Sequence, residues 1–316
     1  MDIAGIGIDL GGTKCAGALF DSSGKILSRH HAQVAGSGGT EVGEKIAALA
    51  QKLLEEGDSN NFTVKGICVS VPGIAYQSTG KVWAPNIPGW EEYPLRPELG
   101  KLIGREIPVH IDSDRACSIL GEVWAGSAAG CDNAVFLAVG TGIGAGILSG
   151  GKIIRGSMGI AGAIGWMALD SEFKTGYEKF GSFEYNASGN GLVRVAGDLL
   201  GQKKISSAIL TEKNLEARTI FEAYERHDPL AVAVIGNAVI YWGKAVANLV
   251  SIFDPEVIIF GGGIFGPGVL LLDSIYREAK RWAQPVSIKK VKLLPSALGA
   301  DAALFGAGKL SMDPGK

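Results

Sequence analysis

Residues 5–21, GIGIDLGGTKCAGALFD, set a carboxylate (Asp9), two glycines (Gly11, Gly12), a hydroxyl (Thr13) and an amine (Lys14) between two apolar runs. A glycine turn leaves backbone N–H groups uncrowded, so that they can converge on a phosphate. A neighbouring carboxylate can hold, through water, the Mg²⁺ that neutralises phosphate charge, and Lys14 adds a cation. This is not a Walker loop, which has four residues between its glycines and opens a helix; here Gly-Gly-Thr-Lys runs into a second apolar strand. Taken alone, the turn also reads as an ordinary tight hairpin. The theme recurs, however, at Gly140, Thr141 and Gly142, and at Gly261, Gly262 and Gly263, each time after an apolar strand. Three such turns are what a two-domain clamp on a nucleoside triphosphate such as ATP requires. Gly261, Gly263 and Gly266 also satisfy a formal GxGxxG, but no strand-helix-strand unit follows them, which argues against a dinucleotide site.

Phosphoryl transfer to a hydroxyl needs a base to receive the proton, a task suited to an aspartate. The stretch HIDSDRACSILGE offers Asp112 and Asp114. Either could instead cap the helix that begins there.

Positioning these groups requires strands and helices in alternation. Period-two runs predict hairpin strands to about residue 31, then VKGICVSVPG, a hairpin through TGKVWAPN, and IPVHID. Helices are expected near 41–56, near 95–103 and from Asp112 to about Trp124; 177–253 reads as mostly helical, and LGADAALFGAG as a closing helix. At 316 residues, two domains are the default, and 47 glycines, about twice the usual ~7% share, foretell many turns or close backbone approaches. A net charge of −2 supplies no field for nucleic acid or an anionic membrane. Cys15, Cys68, Cys117 and Cys131 form no CxxC pair, so they suggest free thiols in a reducing cytoplasm rather than a metal knuckle. No leader is expected before the first strand. The apolar stretch 230–253 is interrupted by Asn237, Lys244 and Asn248 and is expected to be a buried core helix, not a membrane span.

Asp9-Leu-Gly-Gly-Thr-Lys14, Val139-Gly-Thr-Gly-Ile-Gly144 and Phe260-Gly-Gly-Gly263 resemble the phosphate-1, phosphate-2 and adenosine motifs of the sugar-kinase, Hsp70 and actin superfamily. Nearly end to end, with APNIPGW (84–90), LGEVWAG (120–126), YNASG (185–189) and FDPEVIIFGGG (253–263) in order, the chain resembles the ROK family of bacterial sugar kinases and repressors. The resemblance implies an α/β fold of two ribonuclease-H-like (actin-like ATPase) domains with a cleft between them. They would span 1–112, joined by a C-terminal helix at 299–310, and 113–298. It implies a cytoplasmic, homodimeric, ATP- and Mg²⁺-dependent kinase of a hexose or hexose derivative, with Asp114 as general base and Asp112 in support. Ser113 falls where relatives carry a sugar-binding asparagine, and Gly73 and Asn86 match positions lining the sugar pocket, though both also suit turns.

The departures lie at 159–184. Where the family has a zinc-binding histidine and three cysteines, this chain has Trp166, Thr175, Tyr177 and Ser182, none suited to replace a thiolate set, so no zinc is expected. Packing by Trp166, Tyr177 and Phe180 would then hold this loop. Glu184 persists, but Ala163 replaces a glutamate that grips the sugar, and Trp166 removes an imidazole that touches it. Trp166 either fills the space vacated by zinc or offers a ring face on which a sugar stacks. The alternatives are therefore a kinase for an atypical acceptor, such as an aminosugar or cyclitol, or a non-catalytic sugar-binding or regulatory protein. Regulatory relatives carry an N-terminal DNA-reading domain that this sequence does not show.

Overall fold

The computed structural model describes residues 2–203 and 205–313. In chain order the elements are β1 (Asp2–Leu10), β2 (Lys14–Asp21), β3 (Ile26–Gln33), α1 (Gly39–Ser59), β4 (Phe62–Val71), β5 (Ile74–Tyr76), β6 (Lys81–Trp83), α2 (Leu95–Leu102), β7 (Val109–Ser113), α3 (Asp114–Ala125), β8 (Ala134–Val139), β9 (Ile143–Ser149) and β10 (Lys152–Ile153). The rest is mainly helical: α4 (Tyr177–Phe180), α5 (Ser182–Ala187), α6 (Gly189–Gly201), α7 (Ala217–Glu225), α8 (Pro229–Phe253), β11 (Val257–Gly261), α9 (Leu272–Ala279), β12 (Lys292–Pro295) and α10 (Ala302–Met312).

Two five-stranded sheets repeat one plan. The first runs β3-β2-β1-β4-β7, the second β10-β9-β8-β11-β12. In the first, β3-β2-β1 is an antiparallel meander and β1, β4 and β7 are parallel. In the second, β10 and β9 are antiparallel while β8, β11 and β12 are parallel. This is the two-domain actin-like ATPase architecture. α1 forms because Val42, Ile46, Leu49, Ala50, Leu53 and Leu54 recur at helical spacing and pack into the core beside β1 and β4. Burying each larger side chain there contributes roughly 1.5–3 kcal/mol.

The chain divides into two compact units. One holds the described residues up to Asp132, Gly146–Gly162 and those from Ser296 onward; the other holds Asn133–Ala145 and Ala163–Pro295. The sequence reading sets the break at 112/113, whereas here α3 stays with the first unit. The reason is glycine: a Cβ on Gly121 would sit 2.1 Å from the Ala302 carbonyl, and one on Gly306 1.7 Å from the Cys117 carbonyl, so α3 and α10 meet backbone to backbone. α8 is long and apolar enough to cross a membrane, yet 61% of its most apolar window is buried inside the fold, and it packs against α5, α6, α7 and α9 as a core helix. Asp228 caps it, accepting from the N–H groups of Leu230 and Ala231 at 3.1 and 3.2 Å, ahead of Pro229 in the first turn.

Candidate active site

In the first unit, strand register places the chemistry. Asp9 pairs with Ser70 across β1 and β4, and Ser70 pairs with Asp112 across β4 and β7. All three are the next-to-last residues of parallel strands, so a polar row lies at the carboxyl ends, where open α/β sheets bind ligands. Ser70 Oγ donates to Asp9 Oδ1 at 2.9 Å. Asp9 is pushed up to about 6, chiefly by burial, against the Ser70 hydrogen bond; the charges of Asp114 and Asp301 raise it further, while Lys14 lowers it. Asp112 is buried and accepts from Arg155 Nε at 2.9 Å and from the Ser113 N–H at 2.9 Å.

Neither aspartate caps α3. Ser113 does, its Oγ accepting from the Ala116 N–H at 3.2 Å. The polar duty expected of Asp112 is thus an ion pair instead. Asp114 is the first residue of α3, half-buried, and accepts the Arg115 N–H at 2.8 Å. Burial raises its pKa, opposed by the Arg115 charge and that N–H. Gly73 is held by its surroundings: its φ is +145°, and a Cβ would lie 2.1 Å from the Trp83 carbonyl. Asn86 is exposed on the turn that the Ala84 N–H closes onto the Trp90 carbonyl.

In the second unit, Gly140–Gly142 links β8 to β9, and the Gly189 N–H donates to the Gly140 carbonyl at 2.8 Å. Glu184 on α5 braces this turn, its Oε2 accepting the Ile143 N–H at 2.7 Å. A Cβ at Gly142 would strike that carboxylate at 2.7 Å and displace it from the turn. Burial raises the Glu184 pKa, against the Ile143 hydrogen bond and the Arg194 charge. Gly261 ends β11 beside Ala138, and Gly262, at φ +85°, would clash with the Val139 carbonyl if it had a side chain. A cavity of about 780 Å³ opens here, lined by Gly140, Thr141, Gly189, Asn190, Gly263 and Phe221 among others.

The glycines of the three turns separate into two kinds. Gly261 and Gly262 are required by neighbouring protein atoms, and at Gly11 and Gly142 a Cβ would crowd the Lys14 carbonyl (3.1 Å) and the Glu184 carboxylate (2.7 Å). Gly12, Gly140 and Gly263 are not: a Cβ on each meets nothing within 4 Å, and none has a left-handed φ. Outside the α-helices they are the described glycines with both properties, and one stands in each turn. Nothing within the chain requires glycine at these three positions.

The loop at 159–187 departs from expectation in one respect. Trp166 is 57% exposed and fills no core; the buried aromatics are Tyr177 and Phe183, and Phe180 is half-buried with the Arg194 guanidinium 4.8 Å over its ring. Gly181 packs closely on the Trp166 backbone, where a Cβ on Gly181 would lie 2.4 Å from the Trp166 Cα. Ala163 immediately precedes the short 3₁₀ turn that carries it. The residues that sequence reading misses are Ser70, Arg155, Asn190 and Asp170. Ser70 carries a weak signal, a lone polar residue in an apolar strand; Arg155 carries none, since its partner lies 43 residues away.

The family model described as the ROK family matches residues 5–313. A glucokinase of Halalkalibacterium halodurans is 31% identical over 312 residues, covering 96% of this chain and 94% of that protein. A ROK family glucokinase from Streptomyces griseus, solved in complex with glucose and AMPPNP, has a TM-score of 0.76 at 30% identity, covering 97% of this chain and 98% of that one. A ROK hexokinase from Thermus thermophilus has a TM-score of 0.79 at 30% identity, covering 98% and 97%.

Proposed function

Because the chain belongs to the ROK family, we infer that it is a sugar kinase, transferring the γ-phosphoryl group of ATP to a hydroxyl of a hexose or hexose derivative. The observation that carries this reading is the bare glycine in each of the three turns, at Gly12, Gly140 and Gly263, with the second-unit cavity beside two of them. In the first unit Thr13, Lys14 and the turn N–H groups are offered to phosphate; in the second, Thr141 and its turn N–H groups are, with the cavity around Phe221 and Asn190 for the adenosine. Asp114 receives the proton as the acceptor oxygen bonds to the γ-phosphorus and the bond to the ADP oxygen breaks. Burial raises its pKa above the usual carboxylate range, the direction that makes a carboxylate a better proton acceptor.

Mg²⁺ fits the donor set in the first unit. Asp9 is a half-buried carboxylate whose one described side-chain hydrogen bond is Ser70, and its acidic surroundings favour a cation. Asp9 would hold the ion through water, and the ion would neutralise phosphate charge. Ser113, Gly73 and Asn86 are proposed to line the acceptor site, with Ser113 keeping its hydroxyl proton to donate. Glu184 commits one oxygen to Ile143, which leaves the other for a ligand hydroxyl. We place the enzyme in the cytoplasm as a homodimer that needs no zinc.

Ala163 bears on the acceptor. A charged hydrogen bond to a sugar hydroxyl is worth about 1.5–3 kcal/mol, so its loss weakens an ordinary hexose about 10- to 150-fold. The exposed ring of Trp166 is available to stack on a substituted sugar. Plain glucose is therefore expected to be a poorer acceptor than a modified hexose. Coupled ATP turnover against glucose, mannose, fructose, N-acetylhexosamines and aminosugars tests both levels. Turnover on no acceptor removes the kinase reading. A glucose kcat/KM near ~10⁵ M⁻¹s⁻¹ that Ala163→Glu does not improve removes the modified-hexose reading alone.

A further inference from the structure

The turn Gly140–Ile143 is braced by Glu184, and Glu184 rides on α5, a helix of six residues too short to hold its own orientation. What fixes α5 is a polar clasp centred on Asp170. Its carboxylate accepts from Tyr241 Oη on α8 at 2.5 Å, from Tyr177 Oη on α4, and from Lys174 Nζ at 3.3 Å. Tyr177 in turn accepts from Asn186 Nδ2 on α5 at 3.0 Å, and the same nitrogen donates to the Ser182 carbonyl at 2.8 Å. Ser182 Oγ closes the loop, donating to the Met167 carbonyl at 2.9 Å and accepting the Leu169 N–H at 2.8 Å. From α8, Trp242 Nε1 reaches the Ala187 carbonyl at 3.1 Å, at the far end of α5. Tyr177 and Asn186 are both buried, so these bonds are shielded from water.

We propose that Asp170 is a positioning residue for the phosphoryl donor: by tying Tyr177 and Asn186 to Tyr241, it sets α5 so that Glu184 holds the Ile143 N–H and keeps the Gly140–Gly142 turn open to phosphate. Tyr177 and Ser182 stand at two of the positions where the family resemblance places cysteines, so a hydrogen-bonded carboxylate here occupies the place of a metal anchor. The inference rests on reading that turn as the phosphate site.

The test uses the full chain and Mg²⁺·AMPPNP as the probe, with affinity measured by calorimetry and Tm alongside. Asp170→Asn and the milder Tyr241→Phe are each expected to weaken AMPPNP about 5- to 30-fold. Each should be non-additive with Glu184→Ala, because all three act through one N–H group. Ile288→Ala, a cavity variant elsewhere in the same unit, serves as control: it should lower Tm without changing AMPPNP affinity. If Asp170→Asn does not fold, Tyr241→Phe carries the test alone. AMPPNP affinity unchanged in Tyr241→Phe, or losses that simply multiply with that of Glu184→Ala, overturn the proposal while leaving the kinase reading in place. No AMPPNP binding by the unaltered protein overturns both.

Discussion

The two ends of α3 each carry a carboxylate, and the two are built in opposite ways. At the C-terminal end Glu122 is fully buried and surrounded by donors: the N–H groups of Ser127 (2.7 Å), Ala297 (3.3 Å) and Leu298 (3.2 Å), and the Ser296 hydroxyl. At the N-terminal end Asp114 is met by backbone N–H groups of its own first turn, its own and that of Arg115, and its charge helps to lift Asp9. An acid meant to hold structure has its lone pairs occupied by the chain. The acid proposed to take a proton has fewer donors around it, and burial raises its pKa. Motif position alone does not separate the two, since LGEVWAG and HIDSDRAC are equally prominent in sequence.

The contrast can be broken from either end. Asp114→Asn is expected to lower kcat about 10²- to 10⁴-fold with little change in AMPPNP affinity or Tm. Full activity in that variant would move the base to Asp112. Glu122→Ala should do the reverse, leaving buried donors unpaired and costing about 3–5 kcal/mol of unfolding free energy in urea titrations, while kcat of the folded fraction holds. A kcat collapse in Glu122→Ala with normal stability would erase the distinction.

Asp9 sharpens it through pH. The folded protein keeps the Asp9 proton up to about pH 6, against an ordinary value of 3.8. Between those values the folded state binds more protons than the unfolded chain, so this group makes stability fall as pH rises, with the full cost present above 6. In metal-free buffer Asp9→Asn should raise Tm by about 2–4 °C at pH 8, and the gap should close toward pH 4; a constant gap across pH would detach the effect from Asp9 ionisation. The smallest expected effect is none: protein stripped by a strong chelator and returned to Mg²⁺ should recover full activity and Tm without zinc. A zinc requirement would show a metal in the place assigned to the Asp170 clasp.

Much of this was open to reading in the sequence because it is local. The hairpin carrying Asp9 and the Gly-Thr-Gly turn follow from period-two patterns and glycine pairs, and α1 and α8 follow from apolar spacing. What stayed hidden depends on partners far along the chain. Arg155 on Asp112, Tyr241 on Asp170 (71 residues away) and Ser296 on Glu122 (174 away) leave no periodic trace. For Trp166 the sequence leaves core filler and exposed ring both open, because hydrophobicity and size report a preference while burial depends on the surrounding packing, and the ring is exposed. The split at 112/113 missed the close approach of α3 and α10 for the same reason: a glycine shows that crowding is tolerated, without showing by whom.

The docking of α10 also sets a schedule for synthesis. β1 is made well before α10, yet the face bearing Gly7 is closed by Leu304 and Gly308 of α10, and Glu122 meets Ser296–Leu298 only after 174 further residues are made. At about 5–20 residues per second that is roughly 10–35 s. Throughout that interval the leading unit carries an open seam and an acid without its donors, while the intervening unit, whose segments all precede Ser296, has everything it needs to fold. The second unit in sequence is thus the first that can be completed. Protease applied to stalled nascent chains ending before Ser296 should cut the leading segment while sparing 163–295, and equal resistance of both would show that the seam closes without α10.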